Sequence, residues 1–193
     1  AIELAAAWVR VLSCNEIAEE IEESLDFLIA TQRDLPPRHR SMQAVFDHSW
    51  KLLSSEEQQV FASCSVFRAG FTRKAGVEVA GASLQILAAL VDKSLLRRTR
   101  QARYEIHELA RQYAANRLAE AGQVMQTRQR HLNYFMHYAE EAESRLWSGR
   151  NEAAWLDRIE CEHDNLRVAL DWALSGGEFL SGMRIVGALW DFW

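Results

Sequence analysis

Ser83-Leu84-Gln85-Ile86-Leu87-Ala88-Ala89-Leu90-Val91-Asp92-Lys93, continuing into Ser94-Leu95-Leu96-Arg97-Arg98-Thr99-Arg100-Gln101-Ala102-Arg103-Tyr104-Glu105-Ile106-His107, changes its period partway along. In the first part Leu84, Leu87, Ala88, Leu90 and Val91 share one helical face behind a Ser83 cap. In the second, Ser94 to Thr99 and Arg103 to Ile106 flank the polar turn Arg100-Gln101-Ala102, the pattern of a small β-hairpin. His107 then opens a helix that runs to Glu120 and stops at Gly122, a residue suited to the left-handed position after a helix. Upstream, Ser41 to Leu53 carries Met42, Val45, Phe46, Trp50 and Leu53 on one face. Ser54 with Glu56 and Glu57 restarts a helix, and Thr72 caps another to Val79. Short helices followed by a hairpin predict a winged helix.

On either side of this unit the chain reads as helix. Ile17, Ile21, Leu25 and Leu28 recur at helical spacing among Glu16, Glu19, Glu20, Glu22 and Glu23, with Ser13 or Asn15 as cap. The adjacent Pro36 and Pro37 cannot continue that helix and mark the first boundary. Beyond Gly122, helices are predicted over Thr127 to Trp147, Glu152 to about Cys161, Asp164 to Leu174 and Phe179 to Trp193. Antiparallel helices joined by short glycine turns are the way a solenoid begins, although no clean repeat of 34 residues is visible. The expected class is mainly α: a helical segment over 1–35, a winged-helix domain over 36–123 and TPR-like antiparallel repeats from 124 to 193. The start inside a helical pattern and the apolar end Leu189-Trp190-Asp191-Phe192-Trp193 suggest part of a longer protein.

The chain has 193 residues, 49% hydrophobic and 25% charged, enough apolar content to exclude disorder. No apolar run approaches the roughly 18 residues of a membrane span. Cys14, Cys64 and Cys161 lie far apart with no C-x-x-C pair, which argues against a disulfide framework or zinc site and for a reducing, cytoplasmic setting. Residues 1–35 hold 2 basic and 8 acidic residues, 36–123 hold 13 and 8, and 124–193 hold 7 and 11. The basic middle suits an anionic partner, but from charge alone solvated faces are the favoured reading.

The residues also resemble a known family. Ala1-Ile2-Glu3-Leu4-Ala5-Ala6 is similar to the continuation of a G-L-P-L-A stretch in the NB-ARC module of STAND signalling NTPases. Arg38-His39-Arg40-Ser41-Met42-Gln43-Ala44-Val45-Phe46-Asp47-His48-Ser49-Trp50, Ser65-Val66-Phe67, Gly70-Phe71-Thr72 and Leu87 to Leu96 resemble bacterial AfsR-like and LuxR-type ATPase regulators. Trp155-Leu156-Asp157-Arg158-Ile159-Glu160 and Glu162-His163-Asp164-Asn165-Leu166-Arg167 are similar to the helical sensor that follows. Ile106-His107-Glu108-Leu109 resembles the M-H-D motif, whose histidine in the family reaches the β-phosphate of ADP. Glu108 departs from that motif by one methylene. The resemblance makes 1–35 an ARC1-like segment and assigns His107 and Glu108 as nucleotide sensors. It implies ADP or ATP in the parent protein and a P-loop domain of the same chain as partner. It further implies a peptide, protein or small ligand on the helical repeats and a homo-oligomer on activation.

A histidine at a strand-to-helix junction beside free N–H groups suits an anion, but without the resemblance a partly buried histidine that bonds the hairpin or caps the helix is the favoured reading. Arg97, Arg98, Arg100 and Arg103 on or near the wing are candidates to contact an anion or DNA. The predicted recognition helix Leu84 to Lys93 offers only Gln85, Asp92 and Lys93, poor equipment for reading bases. DNA is therefore the less favoured partner. No catalytic constellation is present: the sequence has no G-x-x-x-x-G-K-[ST] loop and no Walker-B strand, so this stretch is not expected to hydrolyse ATP. His39 and His48, or His131 and His137, have spacings that do not pair two rings on one helical face for a metal. The tail aromatics Trp147, Trp155, Trp172, Trp190 and Trp193, with Tyr134, Phe135 and Tyr138, read as core.

Overall fold

A computed structural model describes residues 9, 12–23, 42–147, 152–190 and 192. The predicted helical start at Ala1 to Trp8 and the Pro36-Pro37 boundary lie outside them. The described fold is mainly α, with one two-stranded antiparallel sheet. Helix α1 (Cys14–Glu23) is opened by Ser13, whose N–H reaches Glu16 Oε2 at 2.7 Å while its hydroxyl accepts from Glu16 N at 3.3 Å. Ile17 is buried on it.

Four short helices follow: α2 (Met42–Lys51), α3 (Ser55–Ser63), α4 (Arg73–Ala80) and α5 (Leu84–Asp92), with a 3₁₀ turn at Cys64–Val66. Their starts are fixed by local chemistry. Ser54 and Glu57 make a reciprocal capping box, Thr72 accepts from Ala75 N, and Ser83 accepts from Ile86 N. The hairpin β1 (Arg97–Arg98) and β2 (Tyr104–Glu105) pairs Arg97 with Glu105 and Arg98 with Tyr104. Phe71 adds a bridge to Tyr104, with hydrogen bonds of 2.8 Å in both directions, which ties the hairpin to the segment before α4. Helix α6 (Glu108–Glu120) then packs on α2, α3 and the 3₁₀ turn, and Gly122 takes φ +66° beyond its end.

The remaining helices are α7 (Val124–Trp147), α8 (Glu152–Ser175) and α9 (Phe179–Ala188). Tyr138 meets Trp155 toward one end of the α7–α8 pair and Arg128 lies over Trp172 at the other, so the two run antiparallel. Gly182 brings α9 close to α8: a Cβ there would stand 3.2 Å from that of Ala173. Two predicted boundaries are corrected. Helix α8 runs unbroken where a stop near Cys161 and a restart at Asp164 were expected, because Glu162 and Asn165 are buried on its inner face with partners. Helix α7 begins at Val124, not Thr127, and Thr127 is buried. One core joins the winged helix to the helical pair: Phe67 stacks on Phe71 at 4.4 Å and also meets His131, which meets Phe135.

Candidate functional site

His107 links β2 to α6. Its extended backbone (φ −65°, ψ 140°) makes it the N-cap, and its Nδ1 accepts from Leu109 N at 3.3 Å. The sequence arranges this simply: Tyr104 is anchored in the core, while Leu109 and Ala110 are buried as the first turn of α6. Because Nδ1 is an acceptor, the ring proton sits on Nε2, which has no partner among the described residues. His107 is exposed and lines a surface groove of about 630 Å³ with Ser94, Arg97, Arg98 and Glu105.

Ser94 carries strain in this groove. It lies at φ +57° in the left-handed position after α5, with Ser94 N bonded to Val91 O and Leu95 N to Leu90 O. Glycine is the usual residue there, so a side chain is held on the groove wall at some cost in backbone strain. The sequence reading missed Ser94; a helix that ends Asp92-Lys93-Ser94 without glycine is the signal that points to it.

The predicted site residues do not all converge. Arg97 pairs with Glu105 at 2.5 Å across the hairpin, which offsets its charge. Arg98 shares the groove and Arg100 stands on the exposed turn, neither in an ion pair among the described residues. Arg103 is placed elsewhere: its side chain is only 12% exposed and pairs with Glu162, with further bonds to the carbonyls of Gly70 and Cys161. Glu108 also leaves the groove. Arg111 holds its carboxylate at 2.6 and 2.7 Å, and Arg68 lies at 3.4 Å. Burial opposes the charge on Glu108, but the two arginines outweigh it and hold its carboxyl below the usual range. In the groove, then, one imidazole N–H, the start of α6 and Arg98 remain to attract an anion, against Glu105.

Helix α5, the candidate recognition helix, exposes Gln85 and Asp92, while Lys93 reaches back to Glu57 at 2.7 Å. Among the described residues no cluster of three or more His, Cys, Asp or Glu side chains has metal-binding geometry, and no single helix is long and apolar enough to cross a membrane.

No family model matches the chain, and no solved structure matches it. It is 31% identical over 203 residues to proteins named as HTH-type transcriptional regulators: Rv0890c of Mycobacterium tuberculosis (strain ATCC 25618 / H37Rv) and Mb0914c of Mycobacterium bovis (strain ATCC BAA-935 / AF2122/97). The match takes in 100% of this chain and 23% of theirs, so the chain spans about a quarter of the length of these curated relatives. Along its whole length it is thus similar to one part of larger proteins named as transcription regulators.

Proposed function

We propose that this chain is the regulatory middle of a STAND-type signalling ATPase that controls transcription, with the winged helix sensing bound ADP or ATP and the helical repeats sensing a ligand or protein. The observation that carries the reading is His107: its Nδ1 is fixed by the helix cap and its Nε2 is left unpartnered in a groove shared with Arg98. That arrangement fits a phosphate, which wants an N–H donor, a helix start and a nearby cation. A bound nucleotide supplies the anion, and His107 and Arg98 hold it. Glu108 serves instead to fix Arg111 and Arg68, which keeps α6 seated against the turn before α4. The relatives' names agree with a regulator, and the missing P-loop belongs to another part of the parent protein. A nucleotide that prefers one placement of the winged helix biases the parent toward it. The parent acts in the cytoplasm, assembles into a homo-oligomer when active, and takes a peptide, protein or small ligand on its repeats.

The test is the nucleotide that copurifies with the full-length parent, compared for wild type, His107→Ala and His107→Asn. Asparagine is a good N-cap, so His107→Asn keeps the helix start and removes only the imidazole. ADP in the wild type and at least tenfold less in both variants is expected; equal ADP in all three refutes the sensor role.

A second reading is favoured by the relatives' names as HTH-type regulators and by exposed Arg98 and Arg100: the hairpin grips DNA phosphates. Duplex binding that weakens as salt rises, with a slope reduced by about 1 for each arginine replaced, would support it.

A further inference from the structure

A second groove, of about 500 Å³, runs between α6 of the winged helix and the long helices α7 and α8, and it shares no residue with the groove of His107. Its floor is firm: Ser65, Val66 and Leu118 are buried. Three arginines from three parts of the fold line it, Arg68 before α4, Arg111 on α6 and Arg128 on α7. Each is held by a different neighbour. Asn165 Oδ1 accepts from the Arg68 N–H at 2.7 Å, Arg111 donates from Nε and Nη2 to Glu108 at 2.7 and 2.6 Å, and Arg128 lies over the Trp172 ring at 5.2 Å.

Their donors are far from used up. A guanidinium carries five N–H groups in a rigid fork. Arg68 gives one of them to Glu108, at 3.4 Å, and the Arg128 guanidinium makes no ion pair or hydrogen bond among the described residues. The local field is also positive. Burial first, then repulsion by Arg111, hold the Arg68 pKa below the usual range; the attraction of Glu108 is weaker than that repulsion, and the attraction of Asp164 is weaker than the repulsion by Arg128. Glu108 stands outside the lining and is held by Arg111 and Arg68, so Asp171, which is exposed, is the one carboxylate among the lining residues. Three guanidiniums against that carboxylate leave the lining a surplus of two positive charges. Crowded like charges cost stability, and an anion of matching charge offsets the cost.

We infer that this groove binds a phosphate monoester, with Arg68 and Arg128 clamping its head across the junction and Arg111 adding charge beside them. A phosphate monoester carries about −1.5 to −2 at neutral pH and presents three oxygens that arginine forks bind in pairs, which matches the surplus better than a single carboxylate does. Because Arg68 belongs to the winged helix and Arg128 to the helical pair, the bound head ties the two units together. The inference goes beyond the nucleotide sensor: it needs neither His107 nor ADP.

Isothermal titration calorimetry of the full chain with inorganic phosphate, at constant ionic strength in chloride, tests the site. One saturable phosphate per chain is expected. Arg68→Gln and Arg128→Gln should each weaken binding about tenfold. Asp171→Asn, which removes the opposing charge, should tighten it about twofold. Arg68, Arg128 and Asp171 are exposed, so these changes leave the fold intact, and His107→Asn should leave the affinity unchanged. Glucose 6-phosphate and a capped tripeptide with a central phosphoserine then separate the two sources of the ester: the one that binds more tightly than inorganic phosphate is the kind of ligand the groove takes. No saturable binding, unchanged affinity in both arginine variants, an Asp171→Asn affinity no tighter than the wild type, or loss of binding in His107→Asn overturns the assignment to this groove. Acetate binding as tightly as phosphate, or exclusion of both esters, overturns the phosphate-ester class.

Discussion

At the scale of one residue, His131 shows what burial does to a titratable group. It is 2% exposed between Phe67 and Phe135, its Nε2 has no hydrogen-bond partner among the described residues, and Arg128 lies nearby. Burial first, then the Arg128 charge, push its pKa down to about 4, against a partial opposing effect of Asn165. The folded chain therefore keeps His131 neutral, while the unfolded chain takes up a proton near pH 6.5. Between these values the unfolded state binds more protons, so the His131 contribution is fully present above pH 6.5 and falls as the pH drops toward 4. At about 1.4 kcal/mol per pH unit the full loss is about 3 kcal/mol. Urea unfolding at pH 7 and pH 4.5 should show most of this loss in the wild type and a smaller one in His131→Leu; an identical pH dependence in the two would refute the assignment.

At the scale of elements, the hairpin depends on one glycine. Gly70 has φ +84°, and a Cβ there would stand 2.7 Å from the carbonyl oxygen of Tyr104, the oxygen that accepts from Phe71 N. Its own carbonyl accepts from Asn165 at 2.9 Å and from Arg103 at 3.2 Å. Gly70→Ala should cost about 2–3 kcal/mol from backbone strain and displacement of the Phe71–Tyr104 bridge. A urea midpoint within experimental scatter of the wild type would contradict this. What the sequence made legible at this scale was local. The Ser54, Thr72 and Ser83 caps, the hairpin turn and the stop at Gly122 are each written within a few residues, and each is found in place. The course of α8 was not legible, because Glu160-Cys161-Glu162-His163-Asp164 looks like an interruption of an apolar face. Only partners far away in sequence make Glu162 and Asn165 inner residues of a helix: Arg103 lies 59 residues from Glu162, and Gly70 lies 95 from Asn165. The candidate site divides in the same way. His107 was singled out by the resemblance of Ile106-His107-Glu108-Leu109 to the M-H-D motif, with its junction as support, whereas the divergence of Arg103 and Glu108 from the groove depends on what packs beside them.

At the scale of the whole molecule, the winged helix and the helical pair meet through a continuous apolar core and one polar seam. In that seam Arg103 pairs with Glu162, Asn165 donates to Glu162 at 2.8 Å and to the Gly70 carbonyl, and the N–H of Arg68 reaches Asn165 Oδ1 at 2.7 Å. A buried ion pair contributes little net stability over well-packed apolar residues, but removing one partner strands the other charge and costs about 3–5 kcal/mol. Glu162→Leu leaves Arg103 with only two carbonyls, so the seam should open before either unit melts. Urea unfolding followed by circular dichroism and tryptophan fluorescence should then change from one transition to two. Adding Arg103→Met removes the stranded charge, keeps the buried stem and should recover most of the loss, so the two changes together cost less than Glu162→Leu alone. If the two losses simply add, the pair is not coupled and the apolar core alone holds the units together. Recovery in the double variant would instead make the seam a device for orientation: it fixes where the hairpin sits on α8 while adding little to the stability of the whole.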